Sequence, residues 1–161
     1  MVAFAQLVNR NEFAAVIIRT DFSDEAAWRQ VAEELEESAP DDDPAESYDV
    51  VDAPELADAD TDTILAAVAA HEELWEQLSV VFVADSKTMR FETRTLLTVT
   101  TMTREIMGEQ GYEAMTEFGR EFRTVPSGLH SIHANLELAN MDFEDFSAKA
   151  HKDPEGIFRS F

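Results

Sequence analysis

Residues 79–84 read Ser79-Val80-Val81-Phe82-Val83-Ala84. No polar residue alternates with the apolar ones from Val80 onward, so this run predicts a strand that is buried on both faces. Residues 14–19, with Val16, Ile17 and Ile18 at their centre, have the same character. The sequence therefore predicts at least two strands in the interior of a sheet that is covered by helices on both sides.

Helical patterns follow the first two predicted strands. After residues 14–19, Ser23 is the expected N-cap of a helix whose buried stripe includes Trp28, Val31 and Leu35. After a second strand at residues 48–52, a helix is expected over residues 63–77. Further strands are expected at 93–101 and 121–125, helices at 128–139 and after the N-cap Asp142, and an extended tail at 157–161.

Two strand–helix units followed by a buried strand indicate an α/β layered fold. We expect a single domain over residues 1–161, with a central mixed or partly parallel sheet of about five strands and helices packed on its faces. Residues 38–62 are expected to be an acidic, loop-rich segment. Residues 102–119, which have helical propensity but contain Gly108 and Gly111, are expected to form a helical insertion.

The negative charge of the chain is concentrated in one segment. From Gln30 to Ser86 there are 18 Asp and Glu residues and no Lys or Arg, whereas the other 104 residues hold 16 acids and all 12 bases. Like-charge repulsion disfavours nucleic acids and anionic membranes as partners and favours a basic protein. The residues expected to contact that partner are Asp41, Asp42, Asp43, Glu46, Asp58, Asp60 and Asp62.

Several classes of site lack their sequence signals. There is no Cys for a thiolate nucleophile, and the five glycines form no phosphate-binding pattern. No cofactor is therefore expected. The start of the chain has neither a basic segment nor an apolar run typical of a signal peptide, and no run of about 18 apolar residues follows, so we expect a cytoplasmic protein.

Two groups of residues are weak candidates for metal ligands. Asp21 and Asp85 follow predicted strands and, with Asp24, offer the oxygen ligands that Mg²⁺ prefers. Caps and turns are the favoured roles of these three residues. The second group, on one predicted helix, consists of His130, His133 and Glu137, for which a solvated helix face is the favoured interpretation.

Distinctive blocks of sequence are spread over nearly the whole chain. They lie at residues 19–24, 27–28, 81–85, 122–126 and 156–161, and the longest is Asn135-Leu136-Glu137-Leu138-Ala139-Asn140-Met141-Asp142-Phe143-Glu144-Asp145-Phe146. Together they resemble an actinobacterial domain of unknown function made of small acidic proteins. The resemblance implies a shared fold and a bacterial source, and it supplies no catalytic residues. Residues 102–119 are longer than the family's turn, and His130 and His133 replace its Trp and Glu.

The function expected from these observations is a non-enzymatic protein-interaction module, of an inhibitor, immunity or adaptor type. Its acidic segment would steer a basic protein partner, and mimicry of a nucleic-acid surface is a special case. The alternative is a metal-dependent enzyme or ligand-binding protein with an acidic site at the strand ends near Asp21 and Asp85.

Overall fold

A computed structural model describes residues 14–39 and 48–160, which form one six-stranded mixed sheet in the order β2-β1-β3-β4-β5-β6. Only β4 runs antiparallel to its neighbours, and the other five strands are parallel to one another. The strands are β1 (Ala15–Arg19), β2 (Tyr48–Asp52), β3 (Val80–Ala84), β4 (Leu96–Thr100), β5 (Glu121–Thr124) and β6 (Ile157–Phe158). The α/β class is confirmed, with six strands rather than about five, because part of the expected tail pairs with β5.

Eight α-helices occur in the part of the chain that the structure describes. They are α1 (Glu25–Ser38), α2 (Thr61–Ala69), α3 (Glu72–Gln77), α4 (Ser86–Arg90), α5 (Arg104–Met107), α6 (Glu109–Met115), α7 (Leu129–Glu137) and α8 (Phe143–Lys152). Among the described residues, none of the helices has the length and apolar character needed to cross a membrane.

The two faces of the sheet carry separate apolar clusters. Ile17 and Phe82 face one way, where α1, α7 and α8 cover them, and Ile18 and Val83 face the other way, towards α2 and α3. Successive residues of a strand point to opposite faces, so a strand covered on both sides needs apolar residues at every position. The expected burial of Val81, Phe82 and Val83 is confirmed.

The start of α1 differs from the sequence prediction. Asp24, not Ser23, is the N-cap, because its Oδ1 accepts a hydrogen bond from the backbone N–H of Ala27 at 3.0 Å. The buried stripe of this helix runs through Ala27, Val31 and Leu35. Trp28 lies at the margin of this stripe and is half-buried, packed against the core cluster rather than fully inside it.

The helix expected over residues 63–77 is divided into α2 and α3. The break falls at Ala70 and His71. Val68 and Leu74 are both buried in the same cluster, yet two residues six apart point about 120° away from each other on a continuous α-helix. Interrupting the helix between them allows both side chains to face the sheet.

Residues 102–119 contain two short helices, α5 and α6, joined at Gly108, whose φ of 77° suits glycine. Met115 is buried in the core, and Met102 and Tyr112 pack against it. Ile106 is 58 % exposed. The apolar residues of this segment are therefore divided between the core and the surface.

Candidate functional site

A cleft opens at the edge of the sheet where the parallel strands end. The cleft lies at the carboxyl ends of the neighbouring strands β1 and β3, and its volume is about 320 Å³. Helix α1, which follows β1, and helix α2, which precedes β3, lie on opposite faces of the sheet. Ligands of doubly wound α/β proteins bind at such a switch point. The described lining residues are Thr20, Asp21, Asp58, Ala59, Asp60, Thr61, Ile64, Val83, Asp85, Ser86 and Leu97.

Asp85, directly after β3, is fixed by an ion pair across the sheet. Both of its carboxylate oxygens accept hydrogen bonds from Arg123 of β5, at 3.1 Å for Nη1 to Oδ1 and through a shorter contact for Nη2 to Oδ2. Arg123 Nη1 also donates to the backbone carbonyl of Thr95 at 3.1 Å. This bidentate pair is one of the stronger kinds of side-chain interaction, because both partners are charged and partly withdrawn from water.

Asp85 also begins α4. Its Oδ1 accepts a hydrogen bond from the backbone N–H of Thr88 at 3.2 Å, and its own N–H donates to Thr88 Oγ1 at 3.1 Å. The expected role of Asp85 in shaping the chain before Ser86 is therefore confirmed as an N-cap. The sequence did not predict Arg123 as the partner of Asp85. The feature that could have indicated it is the position of this basic residue in β5, between Phe122 and Thr124, whose side chains are buried in the core.

The charge of Asp85 is stabilised despite its burial. Burial by itself raises the pKa of this carboxyl, but the hydrogen bonds and charge of Arg123, together with the hydrogen bonds from Thr88, lower the pKa below its usual value. Asp85 is therefore an ionised carboxylate that binds Arg123 and caps α4.

Arg19, the last residue of β1, organises the turn that follows this strand. Its side chain is only 7 % exposed and pairs with Glu25 at 2.7 Å between Nη2 and Oε1. The guanidinium lies 4.5 Å from the ring centre of Phe22 and 4.9 Å from that of Trp28. These contacts hold the turn after β1 in place.

The three acids considered as candidate metal ligands already accept hydrogen bonds or form an ion pair within the protein. Asp21 Oδ1 accepts from the backbone N–H of Ser23 at 2.9 Å, Asp24 caps α1, and Asp85 pairs with Arg123. Within residues 14–39 and 48–160, no three His, Asp or Glu side chains are grouped so that they can hold a metal ion.

The second candidate group, on α7, does not form a solvated helix face. His133 is only 6 % exposed, and a ring nitrogen of His130, Nε2, lies 2.9 Å from the carbonyl oxygen of Leu35 at the end of α1. Burial lowers the pKa of His130, and its hydrogen bond to Leu35 partly opposes this effect. The prediction of a solvated face was wrong because α7 packs against α1 and contributes to the same core cluster, which the helix sequence alone does not reveal. Glu137, on the last turn of the same helix, is half-buried.

The carboxylates of the acidic segment gather around one end of the sheet. Strand β2 is at that end, α1 lies over one face beside it, and α2 and α3 lie over the other face. Exposed acids occur on each of these elements, and we call the surface that they form the acidic side: Glu33, Glu34, Glu36, Glu37, Asp52, Glu55, Asp58, Asp60, Asp62, Glu72 and Glu76.

Three of the residues predicted to bind a partner, Asp58, Asp60 and Asp62, lie on the acidic side. Asp41, Asp42, Asp43 and Glu46 lie outside the described residues. Asp60 caps α2 through the backbone N–H of Thr63 at 2.8 Å, and Asp62 pairs with Arg120 at 2.8 Å. Asp58 makes no hydrogen bond or ion pair with the described part of the chain and has a φ of 58°.

The negative charges of the acidic side raise the pKa values of titratable groups near them. Partial burial and the nearby charge of Glu37 raise the pKa of Glu34, and Arg94 partly opposes them. Burial and the charge of Glu36 raise the pKa of Tyr48, the first residue of β2. Negative potential from α1 therefore reaches the edge strand.

The fold and the cleft define an α/β protein with one mixed sheet and a pocket at its strand ends. A family model described as Domain of unknown function (DUF6924) matches residues 14–161, and the chain belongs to this family. No curated protein matches the chain.

Proposed function

We propose that this protein is a non-enzymatic interaction module that binds a basic protein through its acidic side. The observation that carries the proposal is the order of the strands. Because β2 ends the sheet and α1, α2 and α3 flank it, a charge difference along the sequence becomes a charge difference between two ends of the molecule.

The opposite half of the molecule supports the same conclusion. Residues 87–160, which form β4, β5, β6 and the helices attached to them, contain 12 acids and nine bases. A protein that needs acid only for solubility has no reason to separate its charges in this way. A field of one sign on one side accelerates encounter with an oppositely charged partner and orients the approach.

The proposal is tested by two variants with the same change in net charge. The first removes three exposed acids of α1: Glu33→Gln, Glu36→Gln and Glu37→Gln. The control removes three exposed acids of the opposite half: Glu105→Gln, Glu113→Gln and Glu117→Gln. A basic protein captured from the native host at low salt is identified, purified and used to measure association rates with both variants.

We expect the α1 variant to slow association about tenfold at low salt and the control variant to change it much less, since electrostatic steering raises association rates by about 10 to 10³. The difference should shrink as added salt shortens the Debye length from about 30 Å at 0.01 M to about 10 Å at 0.1 M. Equal effects of the two variants, or capture of no basic protein at low salt, would contradict the proposal.

Two finer expectations accompany this proposal. The blocks of sequence that resemble the actinobacterial family favour an actinobacterial source, and the composition favours a cytoplasmic inhibitor, immunity protein or adaptor. The observation that would discriminate best is the set of neighbouring genes, because a toxin encoded beside this gene favours the immunity role.

A further inference from the structure

Strand β2 directs one side of its backbone away from the sheet. It is the last strand in the sheet order, and no described strand lies beyond it. Ala53, directly after β2, donates its backbone N–H to the carbonyl of Arg19 at 2.9 Å. The backbone groups of a strand alternate in direction, so those of Val51 also point towards β1, and those of Tyr48 and Val50 point outwards. We call this outward-facing side of the strand the outer edge of β2.

The exposure and sequence of β2 suit the addition of another strand. Val50 is partly exposed, whereas Ile17, its neighbour in the register with β1, is fully buried. The strand contains no Pro, which would remove a backbone donor from the edge. A row of backbone donors and acceptors at the edge of a sheet is a template for pairing with another chain.

The charge around the outer edge determines which strand fits there. Helix α1 lies over one face beside β2 and exposes Glu33, Glu36 and Glu37. Asp52 is exposed at the end of the strand itself. Burial raises the pKa of Tyr48 and the charge of Glu36 raises it further, so negative potential reaches the start of the strand. A segment that pairs with this edge therefore enters a negative field.

A second copy of this chain is poorly suited to the outer edge. Pairing of two β2 strands would bring two acidic sides together, and like charges directly opposite each other destabilise a pair of strands. Charged residues on edge strands commonly prevent self-association in this way. A strand that carries Lys or Arg meets no such repulsion, and it gains charge-assisted hydrogen bonds with the carboxylates.

We propose that the outer edge of β2 binds an extended basic segment of the partner protein, which joins the sheet as a further strand. The backbone groups of Tyr48 and Val50 form hydrogen bonds with the segment, and its Lys or Arg side chains pair with the exposed acids of α1. This inference rests on the proposed function and names the kind of segment that the acidic side recognises. In strand addition the main chain supplies affinity and the side chains supply specificity.

The test uses the full chain and a synthetic octapeptide of alternating lysine and threonine with blocked termini. Threonine favours extended structure, and lysine supplies the positive charge. Isothermal titration at low salt should show saturable binding. The amide chemical shifts of the protein should change most at residues 48–52. The same peptide with glutamate in place of lysine should not bind.

Two N-methylated forms of the octapeptide separate strand addition from attraction between charges. The first is methylated on the amides of its fourth and sixth residues, which share one edge of an extended peptide, so its other edge stays free. The second is methylated on its fourth and fifth residues, which lie on opposite edges. The two peptides have equal charge and equal methylation. The first should bind like the unmethylated peptide, and the second about tenfold more weakly, because both of its edges have lost a donor.

Val50→Pro makes the corresponding test on the protein. Proline removes the outward N–H of this residue, and it is tolerated on edge strands where the N–H faces solvent. The variant should bind the octapeptide about tenfold more weakly. Val50→Thr keeps the donor and the β-branched shape, so it is the matched control and should bind normally. Thermal unfolding checks both variants, and the methylated peptides give the answer with the unaltered protein if Val50→Pro does not fold.

Three results would overturn the inference. The first is equal binding of the two methylated peptides, which would show attraction by charge alone and leave the proposed function intact. The second is the absence of saturable octapeptide binding at millimolar concentration, which would leave the acids near this edge only the role of preventing strand pairing. The third is an unchanged affinity in a folded Val50→Pro variant. The association rates of the captured basic protein with the two triple variants test the proposed function separately.

Discussion

Asp85 shows how one carboxylate can serve three parts of the fold. It lies after β3, begins α4 and binds Arg123 two strands away, while Arg123 also holds the carbonyl of Thr95 just before β4. The sequence suggested Asp85 as a possible ligand-binding residue because it follows a strand. Its partner lies 38 residues further along the chain, and the strand order that brings the two together depends on tertiary packing, which local patterns do not encode.

We expect Asp85→Asn to lower the free energy of unfolding by about 1.5–3 kcal/mol near neutral pH, the range for hydrogen bonds to charged groups. The pKa of Asp85 is lower in the folded protein than its ordinary value of 3.8. The stabilisation is therefore complete above the pKa of the unfolded state and is lost as the pH falls through the folded pKa. Urea unfolding should show the wild-type advantage shrinking below about pH 4.

A double-mutant cycle with Arg123→Gln isolates the ion pair. The double variant should be less destabilised than the sum of the two single variants, because each single change leaves one partly buried charge without its partner. Strict additivity would show that Asp85 acts only as the cap of α4.

At the scale of elements, the sequence predicted the existence of most strands and helices but not their exact division. The buried strands and α1 have strong local patterns, which Val16–Ile18 and Val31 with Leu35 illustrate. The break between α2 and α3 has no Gly or Pro to mark it, and it exists because Val68 and Leu74 must both reach the sheet. Strand β6 has two residues, too few to form a periodic pattern.

Two glycines in different elements should respond in opposite ways to alanine. A Cβ at Gly128, in the turn between β5 and α7, would overlap the buried Thr124 hydroxyl that bonds the carbonyl of Phe158. Gly128→Ala should therefore lower the free energy of unfolding by about 1–3 kcal/mol. In α6, a Cβ at Gly111 makes only ordinary contact with Met107, at 3.6 Å.

Gly111→Ala is the matched control, and it should raise the free energy of unfolding by about 0.5–1 kcal/mol through the higher helix propensity of alanine. Urea unfolding of both variants checks the pair. A loss of stability in both variants would indicate that α6 is more tightly packed than its exposure suggests. An unchanged stability of Gly128→Ala would show that the Thr124 side chain can move away without cost.

At the scale of the whole molecule, the net charge of −22 should destabilise the folded state through self-repulsion. The melting temperature should rise by several degrees when sodium chloride is increased from about 0.01 M to about 0.5 M, because salt screens exposed charges. The α1 triple variant should show a smaller rise than the opposite-half triple variant. Equal rises would mean that the acids are too widely spaced to repel one another.

The interior position of β1 has a consequence during synthesis. Of the six described strands β1 is made first, but β3, one of its two neighbours, is complete only at residue 84. At about 5–20 residues per second, the ribosome needs roughly 3–13 s to extend the chain from residue 19 to that point. During this interval the nascent chain carries an apolar strand with an open edge, and it also adds 20 acids and a single base, Arg29. Mutual repulsion between neighbouring nascent chains therefore accompanies the period in which β1 is most exposed to misassociation.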